Sequence, residues 1–249
     1  MKMRMMIVAV VIAFIHATGF AREHDPCGNI DLDWLRTHSP IPSGQIVSKQ
    51  NMDPLCEIVL KIGNEYVPLF AGDDFIIAGE MLKHRTQVTR KRIDALKADN
   101  YAKLIPRLDA VAAIVYLPTE NNDRTLYMIT DPLCGYCSTA AEKIVPLAET
   151  YGVTVKAVLY SVHGQEGDNK SIEAVCRDFS LDQYTENKWK SRPFDERHRC
   201  KRGEERVKAA KKVVGKAGIG GVPVFIFDDG RFVNGANMTA VEKILQGMD

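Results

Sequence analysis

The sequence predicts a mixed α/β protein, α+β overall, in which a small, mostly antiparallel β domain precedes a larger α/β domain. Early in the chain, short apolar runs are separated by turn sequences, as in successive hairpins. In the second half, the elements follow the order strand, helix, strand and then strand, strand, helix, which is an α/β pattern. A charged amphipathic segment, residues 89–108, lies between the two parts and is predicted as one linker helix.

Composition limits the function classes. The 249 residues suffice for one large or two small domains, and 45% hydrophobic with 26% charged residues is ordinary for a globular protein. The formal net charge of +1 gives no general attraction to nucleic acid, so no nucleic-acid partner is expected.

The first residues predict export. Lys2 and Arg4 precede an apolar run, residues 5–15, and the small residues Gly19 and Ala21 occupy the −3 and −1 positions of a cleavage site after Ala21. This pattern is typical of a secretory signal peptide, residues 1–21, and the alternative is an uncleaved N-terminal anchor. An exported chain folds where disulfides persist.

The N-terminal domain is predicted over residues 22–88. Residues 22–44 are rich in turn formers, so no regular element is expected there. Short strands separated by glycine- and aspartate-containing turns are expected at Gln45–Ser48, Glu57–Ile62, Glu65–Phe70 and Phe75–Ala78. A unit of this size buries little core alone, which favours a partner surface.

The larger domain is predicted over residues 109–249, after the linker helix. Strands are expected at 111–117, 125–130, 153–160, 222–227 and 231–234, and helices at 135–151 and 239–246. Residues 161–221 form an inserted, mainly helical segment that is longer than a simple crossover needs.

Six cysteines are present, and only Cys134 and Cys137 are close in sequence. Their C-x-x-C spacing fits half of a zinc site or a redox dithiol, but no second C-x-x-C or closely spaced histidine pair completes a zinc site, so no metal is expected. Cys134 is predicted just ahead of a helix, where free backbone N–H groups favour an anion. The thiolate is the nucleophilic form, so Cys134 is the expected nucleophile and Cys137 the resolving thiol.

A second feature is Gly220-Gly221-Val222-Pro223 at the start of an apolar strand. A proline there cannot donate a ladder hydrogen bond, and one use of it is a cis peptide bond that leaves backbone groups free beside the dithiol. An extended substrate backbone can pair with such an edge without sequence specificity.

These motifs together resemble a thioredoxin-like fold, and more closely the periplasmic disulfide isomerases of the DsbC/DsbG type. The resemblance rests on Cys134-Gly135-Tyr136-Cys137 after a strand, on the long helical insertion, and on Gly221-Val222-Pro223 before a final β-β-α unit. It extends over most of the exported chain, with the N-terminal domain similar to the family's dimerisation domain.

The resemblance implies a periplasmic homodimer with no cofactor beyond its redox-active disulfide. Misfolded or reduced secreted proteins would be its clients, and a membrane reductant of the DsbD type would keep it reduced. The substrate-binding residues implied are Gly135, Tyr136, Val222 and Pro223. A structural disulfide is implied between Cys176 and Cys200.

The chain departs from the family at three points. Val222 stands where the isomerases usually have Thr and is familiar in DsbA-type oxidases, and Met128 stands where thioredoxin has a buried Asp. Cys27 and Cys56 are outside the usual pattern. A disulfide between them is expected to tie the N-terminal segment to the small domain, the alternative being an intermolecular or regulatory pair.

The function predicted is reshuffling or reduction of non-native disulfides in secreted proteins. A disulfide-donating oxidase is the first alternative, because of Val222. A non-catalytic holdase chaperone and a zinc-binding module are the other two.

Overall fold

The computed structural model describes residues 25–40 and 44–247. The predicted signal peptide, residues 1–21, lies outside the described residues. Within them, no helix is long and apolar enough to cross a bilayer. The predicted mixed architecture is confirmed: a small antiparallel sheet precedes a larger α/β unit.

The small domain is a four-stranded antiparallel sheet with the order β1-β2-β3-β4. Its strands are β1 (Gln45–Met52), β2 (Leu55–Ile62), β3 (Glu65–Ala71) and β4 (Ile76–Ala78). A short hairpin of β5 (Leu82–Lys83) and β6 (Thr86–Gln87) follows. The apolar side chains that alternate along β2 and β3 pack against the N-terminal segment.

Residues 22–44, expected to be irregular, contain a helix, α1 (Leu32–His38). The Asp31 side chain accepts a hydrogen bond from the Trp34 backbone N–H at 2.8 Å and caps the helix. Leu35 is buried in the small-domain core. A helix of seven residues with one buried leucine is too short to show helical periodicity in the sequence.

The linker prediction, one helix over 89–108, is wrong in its continuity. The chain forms α2 (Val88–Ala102) and then α3 (Ile105–Val111). Pro106 explains the break, because it has no N–H to donate to the carbonyl of Ala102 four residues earlier.

Helix α2 contacts both domains. Arg92 on α2 lies 2.5 Å from the buried carboxylate of Glu57 on β2. At the other end, the Tyr101 ring meets the Phe232 ring edge-on with centroids 5.0 Å apart. Gly230 (φ +86°) approaches α2 so closely that a Cβ there would lie 2.2 Å from the carbonyl oxygen of Ala98. Only glycine fits this contact.

The larger domain contains a five-stranded sheet with the order β11-β10-β8-β9-β7. Its strands are β7 (Ile114–Tyr116), β8 (Thr125–Thr130), β9 (Thr154–Leu159), β10 (Val224–Phe227) and β11 (Phe232–Asn234). Strand β8 runs parallel to β9, and the other pairs are antiparallel. The predicted strand 111–117 is shorter than expected because α3 extends to Val111.

Helices cover both faces of this sheet. They are α4 (Gly135–Tyr151), α5 (Gly164–Cys176), α6 (Leu181–Thr185), α7 (Asn187–Lys190), α8 (Lys201–Lys216) and α9 (Met238–Leu245). Leu126 and Met128 of β8 belong to one core cluster, whereas Tyr127 and Ile129 belong to the cluster on the opposite face. Burial on both faces explains why β8 is apolar throughout rather than alternating.

Candidate functional site

The two thiols of the C-x-x-C segment lie at the start of α4, just after the turn that follows β8. Cys134 is the N-cap of α4, is partly exposed, and is a free thiol. Its Sγ accepts a hydrogen bond from the backbone N–H of Cys137 at 3.4 Å. This is the geometry of a capping side chain, and it holds a sulfur at the positive end of the helix, where an anion is favoured.

Cys137 is also a free thiol, but it is fully buried. Burial raises the pKa of the Cys137 thiol far above its usual value, and the neighbouring Cys134 raises it further. Hydrogen bonds from the Asp131 backbone and the Thr130 hydroxyl act in the opposite direction on the same pKa. The buried Cys137 thiol therefore keeps its proton to higher pH than an exposed thiol does, whereas the Cys134 thiol is partly exposed.

This raised pKa predicts a loss of stability at alkaline pH. Above about pH 8.5 an unfolded thiol loses its proton while folded Cys137 keeps it, so the free energy of unfolding falls as pH rises. We expect the reduced protein to lose about 1.4 kcal/mol per pH unit beyond what Cys137→Ala loses. Urea unfolding in reductant at about pH 8 and pH 10 measures this difference; parallel pH profiles of the two proteins would contradict it.

The proline loop lies against the exposed thiol. The Val222–Pro223 peptide bond is cis, and the Sγ of Cys134 lies 3.8 Å from the Val222 carbonyl oxygen. Gly220 and Gly221 leave open space around this stretch of backbone. Four of the predicted site residues are therefore brought together: Cys134, Cys137, Val222 and Pro223.

The other two predicted binding residues, Gly135 and Tyr136, form the exposed first turn of α4. The Tyr136 side chain is 75% exposed, and Val162, on a neighbouring loop, is 47% exposed. These two residues therefore form exposed, largely apolar surface around the partly exposed Cys134 thiol.

A buried carboxylate organises the turn before the dithiol. Asp131 is fully buried, and its Oδ1 accepts from the Leu133 backbone N–H at 2.8 Å. Its Oδ2 accepts from the Ser161 hydroxyl at 2.9 Å and from the Val162 N–H at 2.7 Å, and lies 2.8 Å from Nδ1 of His163. The Asp131 carbonyl also accepts from the Cys134 N–H at 3.2 Å. One residue thus fixes the dithiol turn to the start of the insertion.

The remaining cysteines form disulfides away from the dithiol. Cys27 is bonded to Cys56 on β2, which ties the N-terminal segment to the small sheet. Cys176 at the end of α5 is bonded to Cys200, the N-cap of α8. Gly203 is required beside this second bond, since a Cβ there would lie 2.5 Å from the Cys176 sulfur. No group of three or more His, Cys, Asp or Glu among the described residues is placed to hold a metal ion.

The sequence reasoning missed several residues that the structure places beneath the dithiol. The Tyr184 hydroxyl on α6 is 3.1 Å from the Thr130 hydroxyl, and the Lys190 amine on α7 donates to the Ser138 hydroxyl at 2.9 Å. No spacing in the sequence links these residues to Cys137, because the fold of the insertion brings them there.

Comparison with known proteins identifies the family of the larger domain. A sequence profile described as a thioredoxin-like domain matches residues 115–246, which include Cys134, Cys137 and Pro223. No curated protein matches the chain.

Solved structures that are similar to this chain include the following three. A linker-deletion mutant of ScsC from Proteus mirabilis is 18% identical with a TM-score of 0.52, covering 64% of this chain and 85% of its own. The thiol-disulfide exchange protein alpha-DsbA2 from Wolbachia pipientis is 14% identical with a TM-score of 0.52, covering 63% and 97%. Helicobacter pylori DsbG is 22% identical with a TM-score of 0.42, covering 74% and 93%.

At these identities, the structural likeness concerns the fold and not the reaction. The profile match spans more than half of the chain. The protein therefore belongs to the thioredoxin-like family.

Proposed function

We propose that this protein is a thiol-disulfide oxidoreductase that reshuffles or reduces non-native disulfides in secreted proteins. One observation carries the proposal: a partly exposed free thiol, Cys134, caps a helix and faces the carbonyl before a cis-proline, with a second free thiol, Cys137, buried behind it. An accessible nucleophile with an inaccessible partner is the arrangement that thiol-disulfide exchange requires.

The proposed reaction begins at Cys134. Its thiolate attacks one sulfur of a substrate disulfide, a mixed disulfide forms, and the other substrate sulfur leaves as a thiolate. In isomerisation, that freed thiolate attacks elsewhere in the substrate, a substrate thiolate finally displaces Cys134, and no net electrons are transferred. In reduction, Cys137 attacks the Cys134 sulfur, so two electrons pass to the substrate and the Cys134–Cys137 disulfide remains.

The geometry around Cys134 supports a polypeptide substrate. The backbone before Pro223 is open, and Tyr136 on the first turn of α4 and Val162 on a neighbouring loop present apolar surface. Backbone pairing with side-chain contacts of low specificity would accept many sequences. We therefore propose misfolded or reduced secreted proteins as the substrate class.

The remaining partners follow from the same proposal. Two disulfides outside the reactive pair suit an oxidising compartment, which supports the periplasm. A DsbD-type membrane reductant would return the reactive pair to the dithiol state. Exposed Ile77 on the edge strand β4, with exposed Phe75 and Leu82 nearby, supports a homodimer formed through the small domain.

The direction of transfer is tested by supplying the protein in its two redox states. We expect the pre-reduced protein to restore activity to a secreted enzyme with scrambled disulfides, and alkylation of Cys134 to remove that recovery. The control is the same assay in redox buffer alone. Failure to restore activity, with rapid oxidation of a reduced substrate by the oxidised protein, would instead identify a disulfide donor, the alternative that Val222 favours. Inactivity in both directions, with aggregation still suppressed, would leave a holdase chaperone.

A further inference from the structure

A lysine of the insertion lies beside the helix that carries the dithiol. Lys190 is the last residue of α7, and its side chain is half-buried. Its Nζ donates to the hydroxyl of Ser138, the residue after Cys137, at 2.9 Å. The same amine lies 5.0 Å from the centre of the Tyr184 ring. Among the described residues, no carboxylate forms an ion pair with Lys190, which is unusual for a lysine removed from water.

The surroundings of Lys190 hold it in place. Trp189 is the residue before Lys190, and its backbone carbonyl accepts a hydrogen bond at 2.8 Å from the fully buried amine of Lys170. The Trp189 indole N–H donates to the Tyr184 carbonyl at 3.4 Å. A surface lysine needs no such framework, because a long charged side chain is ordinarily free in solvent.

Cys137 is the group that needs a positive charge. When its thiol ionises, the anion forms in a fully buried position, where an unpaired charge is costly. The Thr130 hydroxyl hydrogen-bonds to this sulfur and to the Tyr184 hydroxyl. The other ionisable groups facing the sulfur, Cys134 and Tyr184, are neutral or become negative, and Asp131 is acidic.

Negative charge on Cys137 is one of the influences on the ionisation of Lys190. Burial lowers the pKa of Lys190, while negative charge on Glu142 and on Cys137 raises it. Coupling between two sites is reciprocal, so an ammonium favoured by the thiolate favours that thiolate equally. Met128 stands at the position where thioredoxin has a buried acid. Its buried side chain is apolar, so this position contributes no charge.

We propose that Lys190 is a positioning residue that supplies the positive charge against which Cys137 ionises when it resolves a mixed disulfide. This inference rests on the proposed function, because it concerns a step of that exchange. In this step the Cys137 thiol loses its proton and its thiolate attacks the Cys134 sulfur. The Cys134–Cys137 bond forms, the bond to the substrate sulfur breaks, and the leaving thiolate takes up a proton from solvent. Two electrons pass from the dithiol to the substrate.

The test separates the two thiols by their kinetics. The reduced protein is mixed with a small aromatic disulfide whose released thiolate absorbs visible light, and the release is followed by stopped flow. Attack by Cys134 releases the first chromophore, and attack by Cys137 releases the second. We expect Lys190→Met to slow the second phase about three- to fourfold and to leave the first phase unchanged. A one-unit rise in the thiol pKa lowers the thiolate fraction tenfold, while the thiolate becomes about threefold more nucleophilic.

Further variants distinguish charge from shape. Lys190→Gln keeps a donor for Ser138 without the charge and should be as slow as Lys190→Met, whereas Lys190→Arg should retain the fast second phase. Lys188→Met, on the exposed side of the same short helix, is the matched control and should change neither phase. If Lys190→Met does not fold, the comparison of Gln with Arg carries the test.

Several outcomes would overturn the proposal. An unchanged second phase in Lys190→Gln would overturn it. A second phase as slow in Lys190→Arg as in Lys190→Gln would also overturn it, and so would equal slowing of both phases in Lys190→Met. A protein with no first phase at all would instead contradict the proposed function, because Cys134 would then be unreactive. The two failures are therefore distinguishable in one experiment.

Discussion

Cys134→Ala is expected to abolish both reduction and isomerisation of protein disulfides. No other described thiol is exposed at the site, since Cys137 is fully buried and the remaining cysteines are in disulfides. Loss of a covalent nucleophile in other enzymes lowers turnover by about 10⁶-fold, so activity should fall to the rate in redox buffer alone. Recovery of a scrambled-disulfide enzyme measures the effect.

Cys137→Ala should behave differently, because the first attack does not need it. We expect this variant to accumulate a mixed disulfide with the substrate, visible on non-reducing gels, and to lose catalytic reduction while keeping part of the isomerisation. Thr139→Ala, on the exposed side of the first turns of α4, is the matched control and should match the wild type. Equal activity of wild type and Cys134→Ala would remove the dithiol from the mechanism.

The boundaries around the dithiol follow from local sequence. Strand β8 and helix α4 begin and end at the predicted residues, 125–130 and 135–151. Asp131-Pro132 ends the strand, and Gly152, with φ +63°, ends the helix in a left-handed conformation. Both signals lie within a few residues of the element that they terminate, so a single sequence contains them.

The elements that differ from the prediction depend on contacts that are distant in sequence. Helix α1 is stabilised where Leu35 meets the small sheet, and the turn before α1 is held by the Lys49 amine, which donates to the carbonyls of Cys27 and Ile30. The break between α2 and α3 is the exception, because Pro106 is present in the sequence and its missing N–H favours an interruption there.

The residues of the site also fall into two groups, those that local sequence indicates and those whose placement depends on contacts distant in sequence. The spacing of Cys134 and Cys137 is local, and it indicates the chemistry before any fold is known. Asp131 is local too, yet the partners of its carboxylate are at residues 161–163. Tyr184 and Lys190 lie about fifty residues beyond Cys137 in the insertion. Their role beneath the dithiol depends on how the insertion folds, which periodicity and composition do not specify.

Asp131→Ala is expected to be among the most destabilising single changes in the larger domain. The fully buried carboxylate satisfies two backbone N–H groups and the Ser161 hydroxyl, and pairs with His163. Removing the carboxylate costs about 1–3 kcal/mol for each buried donor left without an acceptor, and the Ser161 hydroxyl is such a donor. Urea unfolding of the reduced protein measures the loss.

The same change should alter the reactivity of Cys134, because the Asp131 carbonyl accepts from the Cys134 backbone N–H and the Asp131 backbone also hydrogen-bonds to the Cys137 thiol. We expect Asp131→Asn to lie between the wild type and Asp131→Ala, since it keeps the shape and one acceptor oxygen but turns an amide N–H₂ toward donors. Asp182→Ala, at an exposed position of α6, is the control and should change stability by less than about 0.5 kcal/mol. If Asp131→Ala unfolds at the same urea concentration as Asp182→Ala and Cys134 is alkylated at an unchanged rate, the carboxylate does not organise the dithiol turn. The reactive geometry would then depend on the α4 N-terminus and the Val222–Pro223 loop alone.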